Sequence, residues 1–233
     1  PSQAVVGAGT GIVTGVAAGI PVISYIMTTG CYATTPVTVN SNPAIITGAN
    51  NVCTGATIGL SDATAGGYWS SSDATKASIG SATGVVTGVA AGTANITYML
   101  PTGCIAVYPV TVNQTPAAIS GTRSVCTGLT TTLANSLAGG TWSSSNSAVA
   151  SVGAFTGVVS GVSAGTATIT YTTPLGCTRT FTVTVDPIEP ISFNTDQLCK
   201  GSCDSVWDVV PGGIWGSSNP AKATITSTGI STT

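Results

Sequence analysis

Residues 84–98 read GVVTGVAAGTANITY, and closely similar stretches begin at residues 11 and 157. The stretch therefore recurs at a fixed interval of 73 residues. A constant period of this length indicates tandem copies of one small domain. One repeated unit thus accounts for most of the chain.

Each copy of the stretch contains two short runs of residues that favour β-strands. In residues 84–98 the second run alternates apolar residues with Asn95 and Thr97. Gly92 lies between the two runs and tolerates the backbone conformations of a tight turn. The pattern predicts a β-hairpin.

Further short apolar runs, separated by turn residues, bring the unit to seven predicted strands. Seven short strands at such spacing are typical of a β-sandwich, so the predicted fold class is all-β with one sandwich per repeat. We predict complete repeats at residues 43–113 and 116–186, a partial repeat of last strands at 1–40, and a partial repeat of first strands at 190–233.

Charged residues are scarce in this chain. They make up 5% of the 233 residues, against 42% hydrophobic residues, and the net charge is −2. Soluble domains usually contain about 25% charged residues, so little charge repulsion opposes self-association here. The five Lys and Arg residues form no basic cluster, which argues against nucleic-acid binding.

The stretch from Gly11 to Met27 is uncharged and resembles a membrane span in composition alone. Gly15, Gly19 and Pro21 interrupt it, and its copies follow the strand pattern. We therefore predict sheet and no membrane insertion.

No combination of side chains in the sequence suggests catalysis. Residues 161–165 match the G-x-S-x-G pattern of a serine nucleophile, but the chain contains no histidine to act as its base. The seven acidic residues are too sparse to predict a pair of catalytic carboxylates. We predict no enzyme activity, no cofactor and no metal site.

Three tryptophans, Trp69, Trp142 and Trp215, recur at the same 73-residue interval. A tryptophan at one fixed place per repeat is the expected core anchor of a sandwich. Trp207 has no counterpart in the other repeats. It is therefore our candidate for an exposed aromatic that binds a glycan or another surface protein.

The order of residues 141–171, TWSSSNSAVASVGAFTGVVSGVSAGTATITY, resembles the bacterial immunoglobulin-like (Ig-like) domain, group 2. The resemblance covers nearly the whole chain and implies tandem Ig-like sandwiches. It also implies spacers of secreted or surface-anchored bacterial proteins, adhesins among them, and brings no catalytic residues. The cysteine positions resemble those of large Bacteroidota surface proteins, and Asp204-Ser205-Val206 resembles an O-glycosylation signal of that group, with Ser205 as the acceptor.

Six cysteines alternate at spacings of 22 and 51 residues, and a seventh, Cys203, stands outside this pattern. The six are Cys31, Cys53, Cys104, Cys126, Cys177 and Cys199. Two thiols per repeat in a chain without histidine predict disulfides formed in an oxidising compartment. The predicted localisation is therefore extracellular, either secreted or at the cell surface.

The predicted sandwich also limits which cysteines can pair. Cys53 and Cys104 are expected at opposite ends of one domain, about 25–30 Å apart, whereas bonded cysteines require Cα atoms within about 7 Å. In a tandem array the exit end of one domain faces the entry end of the next, and this arrangement brings Cys53 towards Cys177. Our hypothesis is therefore a disulfide bond between consecutive domains.

Two interpretations of the partial repeats remain open at this stage. Either the chain is part of a longer array, or the C-terminal partial repeat of one subunit completes the N-terminal partial repeat of the next. In the second case Cys126 bonds Cys31, and Cys199 bonds Cys104, of the following subunit. Independently of these two cases, Cys203 is left over, and it either pairs locally with Cys199 or remains a thiol.

These inferences lead to two functional hypotheses. The first is an extracellular structural protein that self-associates into a fibre, stalk or matrix of stacked domains. The second is a cell-surface adhesin module that binds a glycan or a protein receptor.

Overall fold

The computed structural model describes residues 2–188, 190–193, 197–208, 213–226 and 230–232. This part of the chain contains strands but no helix, and hence no helix able to span a membrane. It divides into two compact units, residues 1–115 and 116–233. The prediction of an all-β fold of tandem Ig-like sandwiches is confirmed.

The first unit begins with a segment of four short strands that form two separate pairs. These are β1 (Ala4–Val6), β2 (Val13–Gly15), β3 (Val22–Ile26) and β4 (Tyr32–Pro36). Strand β1 pairs with β2, and β3 pairs with β4, in both cases antiparallel. Most of the apolar side chains of this N-terminal segment are exposed.

The rest of the first unit is a complete sandwich, which we call domain A. Its strands are β5 (Thr47–Gly48), β6 (Asn51–Cys53), β7 (Thr57–Ser61), β8 (Tyr68–Ser71), β9 (Ala77–Ile79), β10 (Val85–Gly88), β11 (Gly92–Met99) and β12 (Ile105–Asn113). One sheet has the order β5-β7-β10-β9, and the other has the order β6-β12-β11-β8.

The predicted hairpin of residues 84–98 is wrong. Strand β10 pairs with β7 and β9, whereas β11 pairs with β12 and β8, so the two strands belong to opposite sheets. The physical reason is that neither strand has a free edge: β7 and β9 occupy both edges of β10, and β12 and β8 occupy both edges of β11. Val86 and Ile96 are fully buried in one core cluster, to which the two sheets contribute from opposite sides. Residues 89–91 carry the chain from one sheet to the other.

Trp69 and Tyr98 form the aromatic centre of domain A. Their ring centroids lie 4.7 Å apart with tilted planes, and both side chains are buried. The Tyr98 hydroxyl donates a hydrogen bond to the Thr64 carbonyl at 2.6 Å and accepts one from the Gly67 N–H at 2.9 Å. The tyrosine thereby ties the loop before β8 to the core.

The second unit contains another complete sandwich, domain B. Its strands are β13 (Ser124–Cys126), β14 (Thr130–Thr132), β15 (Thr141–Ser144), β16 (Ala150–Val152), β17 (Val158–Gly161), β18 (Gly165–Thr172) and β19 (Thr178–Asp186). The sheets have the orders β14-β17-β16 and β13-β19-β18-β15. A bridge between Ser120 and Ala134 takes the place of the short strand β5. Trp142 and Tyr171 repeat the aromatic contact at 4.7 Å.

The second unit ends in a small sheet, which we call the C-terminal segment. Its strands are β20 (Ser192–Phe193), β21 (Cys203–Trp207), β22 (Thr224–Ile225) and β23 (Ile230–Thr232), in the order β20-β21-β23-β22. In sequence position β21, β23 and β22 correspond to β14, β17 and β16 of domain B, so this segment repeats one sheet of a sandwich.

Candidate functional site: cysteines at the domain ends

The exit end of domain A, where the chain leaves the sandwich, carries Cys53. Strand β6 runs parallel to the last strand, β12, and places Cys53 opposite Asn113. The Thr54 hydroxyl donates to the Asn113 carbonyl at 3.1 Å, and the Thr115 hydroxyl donates to the Thr54 carbonyl at 2.7 Å. The corner that holds Cys53 is thus hydrogen-bonded to the outgoing chain.

Cys104 lies at the opposite end of the same domain. It directly precedes the nine-residue strand β12, whose far end reaches Cys53. Nine residues of strand span about 30 Å, which exceeds the reach of a disulfide several times. The two cysteines of domain A are therefore too far apart to bond to each other.

Domain B has the same arrangement. Cys126 lies opposite Asp186 at the exit end, where the Thr127 hydroxyl donates to the Asp186 carbonyl at 3.2 Å. Cys177 directly precedes β19 and is buried. At that end Arg179 Nε donates to the Pro116 carbonyl at 3.1 Å, so Cys177 lies at the entrance end, where the chain begins the domain.

The cysteines differ in their bonding. Cys53 and Cys177 are disulfide-bonded, whereas Cys31, Cys104, Cys126 and Cys203 carry thiols. Cys31, Cys199 and Cys203 are exposed, and Cys104 and Cys126 are half-buried. The corner residues 51–53 and 124–126 form strands β6 and β13, which were not predicted from the sequence. Runs of three residues are too short to show the alternation that predicts a strand.

The other candidate residues are the tryptophans and Ser205, and two of them, Ser205 and Trp207, share strand β21 with Cys203. Trp69 and Trp142 are buried in the cores of domains A and B, and Trp215 is half-buried. Trp207 is 44% exposed at the end of β21. Ser205 is exposed in the middle of the same strand.

In the part of the chain that the structure describes, no three or more Cys, Asp or Glu side chains are grouped so as to hold a metal ion. The pKa of Asp73 is lowered, chiefly because the carboxylate accepts a hydrogen bond from the Thr75 hydroxyl at 2.6 Å. Asn146 makes the equivalent turn in domain B by accepting from the Ala148 N–H, so this is a structural turn.

A comparison with protein families identifies the repeats. The family model of the bacterial Ig-like domain (group 2) matches residues 33–103 and 106–186. The chain belongs to this family. Family membership identifies an extracellular or cell-surface type of repeat, and a non-catalytic type of domain.

Solved structures with similar folds are multidomain proteins. A C-terminal fragment of intimin in complex with the translocated intimin receptor intimin-binding domain is 15% identical, with 69% of each chain covered and a TM-score of 0.42. Domains 4 and 5 of the S-layer protein SbsC are 18% identical, with 64% of this chain and 100% of that chain covered and a TM-score of 0.29. Mouse cadherin-23 EC22-24 is 16% identical, with 67% and 70% covered and a TM-score of 0.27. No curated protein sequence matches this group 2 Ig-like chain significantly.

Proposed function

We propose that this protein is an extracellular structural repeat protein whose Ig-like domains stack end to end into a fibre, stalk or matrix. The observation that carries the proposal is the placement of one cysteine at each end of both complete domains. Cross-links placed in this way join neighbouring domains and leave the two sheets of each sandwich unconnected. Such links stiffen an array without altering the fold of its units.

In this proposal Cys53 and Cys177 are bonded to each other. Cys53 belongs to the exit end of domain A and Cys177 to the entrance end of domain B, which follows in the sequence, and both are disulfide-bonded. A bond of this kind stabilises the folded chain by about 2–4 kcal/mol, chiefly because it restricts the conformations of the unfolded chain. By the same rule, Cys104 bonds a preceding repeat and Cys126 a following one.

The proposal includes joining of subunits by strand complementation. Val13 and Tyr25 of the N-terminal segment are 39% and 75% exposed, whereas Val86 and Tyr98, at the same positions of domain A, are buried. The sequence predicts a strand at Trp215, but the structure has none there. The C-terminal segment of a second copy still carries Trp215, the counterpart of Trp69, which packs on Tyr98 in domain A. In this joint Cys126 bonds Cys31 of the next subunit, with two electrons and two protons passing to a thiol–disulfide oxidant.

Denaturing electrophoresis with and without reductant, together with intact mass, tests the joints between subunits. Subunits linked through Cys31 and Cys126 give a ladder that collapses to one chain mass on reduction. A single species of one chain mass under both conditions contradicts covalent joining of subunits. Electron microscopy of the same sample tests fibre formation itself, which globular, unconnected particles would contradict.

An adhesin module is the second candidate function, and the exposure of Trp207 is the observation that favours it. An exposed indole ring supplies a flat apolar surface with a hydrogen-bond donor at its edge, which suits the face of a sugar. Saturable binding on a glycan array that is lost in Trp207→Ala would support this function. Unchanged binding in the variant would exclude Trp207 as the contact.

A further inference from the structure

The corner of the C-terminal segment contains two cysteines. Cys199 takes the place that Cys53 and Cys126 take at the corners of domains A and B, and Cys203 follows it as the first residue of β21. Both complete domains have a threonine at the place of Cys203, at the start of β7 and of β14. The C-terminal segment is thus the one repeat in which a second cysteine closely follows the cysteine of the corner.

The backbone turn after the corner cysteine is closed in the same way in all three repeats. In the C-terminal segment the Ser202 N–H donates to the Cys199 carbonyl at 2.9 Å, and Gly201 has a φ of +84°. This hydrogen bond, with a positive φ at the third of four residues, is typical of a type II turn, which favours glycine there. Domains A and B have the same bond at 2.9 and 3.0 Å, and their glycines have φ of +85° and +82°. The turn therefore belongs to the repeat and does not depend on Cys203.

This turn brings Cys199 and Cys203 close together. The Cα atoms of the first and fourth residues of a β-turn lie less than about 7 Å apart, and Cys203 directly follows the fourth residue. The Ser202 hydroxyl also donates to the Cys199 carbonyl, at 2.7 Å, which helps to hold the turn closed. Both cysteine side chains are exposed, so they are able to rotate towards each other without disturbing a packed core. The corner thus suits a local disulfide.

We propose that Cys203 competes with the following repeat for Cys199, so that this pair of cysteines is a redox switch of the joint. The proposal rests on the proposed function, in which the corner cysteine of one repeat bonds the entrance cysteine of the next, here Cys104 of the following subunit. When Cys199 is bonded to Cys203, it is closed to that joint. When Cys203 is a thiol, it is able to open the joint again.

The joint opens by thiol–disulfide exchange, which changes no oxidation state overall. The Cys203 thiolate attacks Cys199 Sγ, a bond between Cys199 and Cys203 forms, and the bond from Cys199 to Cys104 breaks. Cys104 leaves as a thiolate and takes up the proton that Cys203 has lost. The local bond also forms directly from two thiols, with two electrons and two protons passing to a thiol–disulfide oxidant.

The closeness of the two cysteines decides when the local bond forms. A thiol tethered a few residues away reaches an effective concentration on the order of millimolar or above, which a second subunit matches only after its domains have stacked. Stacked subunits therefore keep the joint, and separated subunits return to the local bond. Cys53 is disulfide-bonded and has Thr57 at the corresponding place, and a hydroxyl does not displace a disulfide. The bond at Cys53 is thus permanent where the bond at Cys199 is reversible.

Trypsin digestion of the unreduced chain, after alkylation of its thiols, measures the switch because Lys200 separates the two cysteines. Digestion gives peptides 180–200 and 201–222, each with one cysteine. Single subunits treated with oxidised glutathione are expected to yield these two peptides linked to each other. Joined subunits are expected to yield 180–200 linked to peptide 77–123, which contains Cys104. Dilution of joined subunits without reductant is expected to convert the second link into the first.

Cys203→Thr is the matched variant, because it restores the residue of the other two corners. It is expected to form the link between peptides 180–200 and 77–123 and to lose none of it on dilution. Cys203→Ser, which replaces only the sulfur atom, takes its place if circular dichroism shows that the threonine variant is unfolded. Thr130→Cys puts the same pair at the corner of domain B, and it is expected to protect Cys126 from alkylation in the oxidised single chain. Continued alkylation of Cys126 in that variant would contradict the argument from the turn.

The outcomes separate failure of the switch from failure of the joint. If the oxidised single chain does not link peptides 180–200 and 201–222, or if the native chain and Cys203→Thr keep the joint equally on dilution, the switch is overturned and the joint stands. If neither protein ever links 180–200 to 77–123, the proposed joint itself is wrong, and the switch falls with it even where the local bond forms.

Discussion

Asp62 and Asn135 occupy the same position in the two domains but differ in hydrogen bonding. Asn135 accepts from the Leu137 N–H at 3.0 Å and donates from Nδ2 to the Ala117 carbonyl at 2.8 Å. Asp62 accepts from the Thr64 N–H at 2.7 Å, but its Oδ2 is buried and has no hydrogen-bond partner within the described residues. A carboxylate cannot donate as the amide does.

Asp62→Asn replaces the unpaired Oδ2 oxygen with an amide N–H group, which can donate a hydrogen bond as Asn135 Nδ2 does in domain B. The substitution is therefore expected to stabilise domain A by about 0.5–1.5 kcal/mol. Hydrogen-exchange mass spectrometry of peptides from domain A measures the change. The reverse substitution in domain B, Asn135→Asp, is the matched control and is expected to destabilise that domain. A decrease in protection of domain A in Asp62→Asn would contradict this account.

The hydroxyl groups of Tyr98 and Tyr171 each hold a loop to the core of their domain. Tyr98→Phe leaves the Gly67 N–H and the Thr64 carbonyl without their partner, at an expected cost of about 1–3 kcal/mol. Tyr171→Phe has the same effect in domain B, because Tyr171 contacts the Gly140 N–H and the Leu137 carbonyl. Tyr25→Phe changes the counterpart that is exposed in the single chain, and it should leave the urea midpoint of the unassembled chain unchanged.

At the scale of elements, the sequence predicted which residues form strands better than it predicted which strands pair. Alternation in residues 94–98 correctly indicates a strand with one buried face. It carries no information about the partner strand, and a short turn after Gly88 suits a hairpin as well as a crossing between sheets. The corner strands β6 and β13 were missed because their pairing partners, β12 and β19, lie about 60 residues later.

Gly88 is the residue at which the chain leaves the first sheet. A Cβ atom there would lie 2.7 Å from the Cys53 carbonyl oxygen and 3.0 Å from Val112 Cγ1. Gly88→Ala is therefore expected to destabilise domain A by about 1–3 kcal/mol through overpacking. Gly59→Ala, where a Cβ meets open space, is the control in a melting experiment, and an equal loss in both variants would contradict the packing argument.

For the whole molecule, the sequence predicted the family, the period and the separation of the cysteines within a domain. The family and the repeated Ig-like fold are confirmed. The separation of Cys53 from Cys104 followed from strand length alone, which the structure reproduces in β12. The alternation of threonines in residues 166–172 and 178–184 is visible in the sequence, but the register that pairs them across β18 and β19 required the structure.

A bond between Cys53 and Cys177 predicts that the two residues act as a unit. Cys53→Ser and Cys177→Ser should each lower the unfolding free energy by about 2–4 kcal/mol, and the double variant by no more than either single one. Calorimetry of the three variants measures this. Additive losses would show that the two cysteines stabilise the chain through separate bonds.

Peptide mapping of the native, unreduced chain by mass spectrometry is the most direct test of the central claim that a disulfide links consecutive domains. The account predicts a peptide that contains Cys53 linked to one that contains Cys177, with Cys104 and Cys126 absent from it. Recovery of Cys53 linked to Cys104, or of Cys126 linked to Cys177, would contradict the claim, because it would place the bond within a single domain.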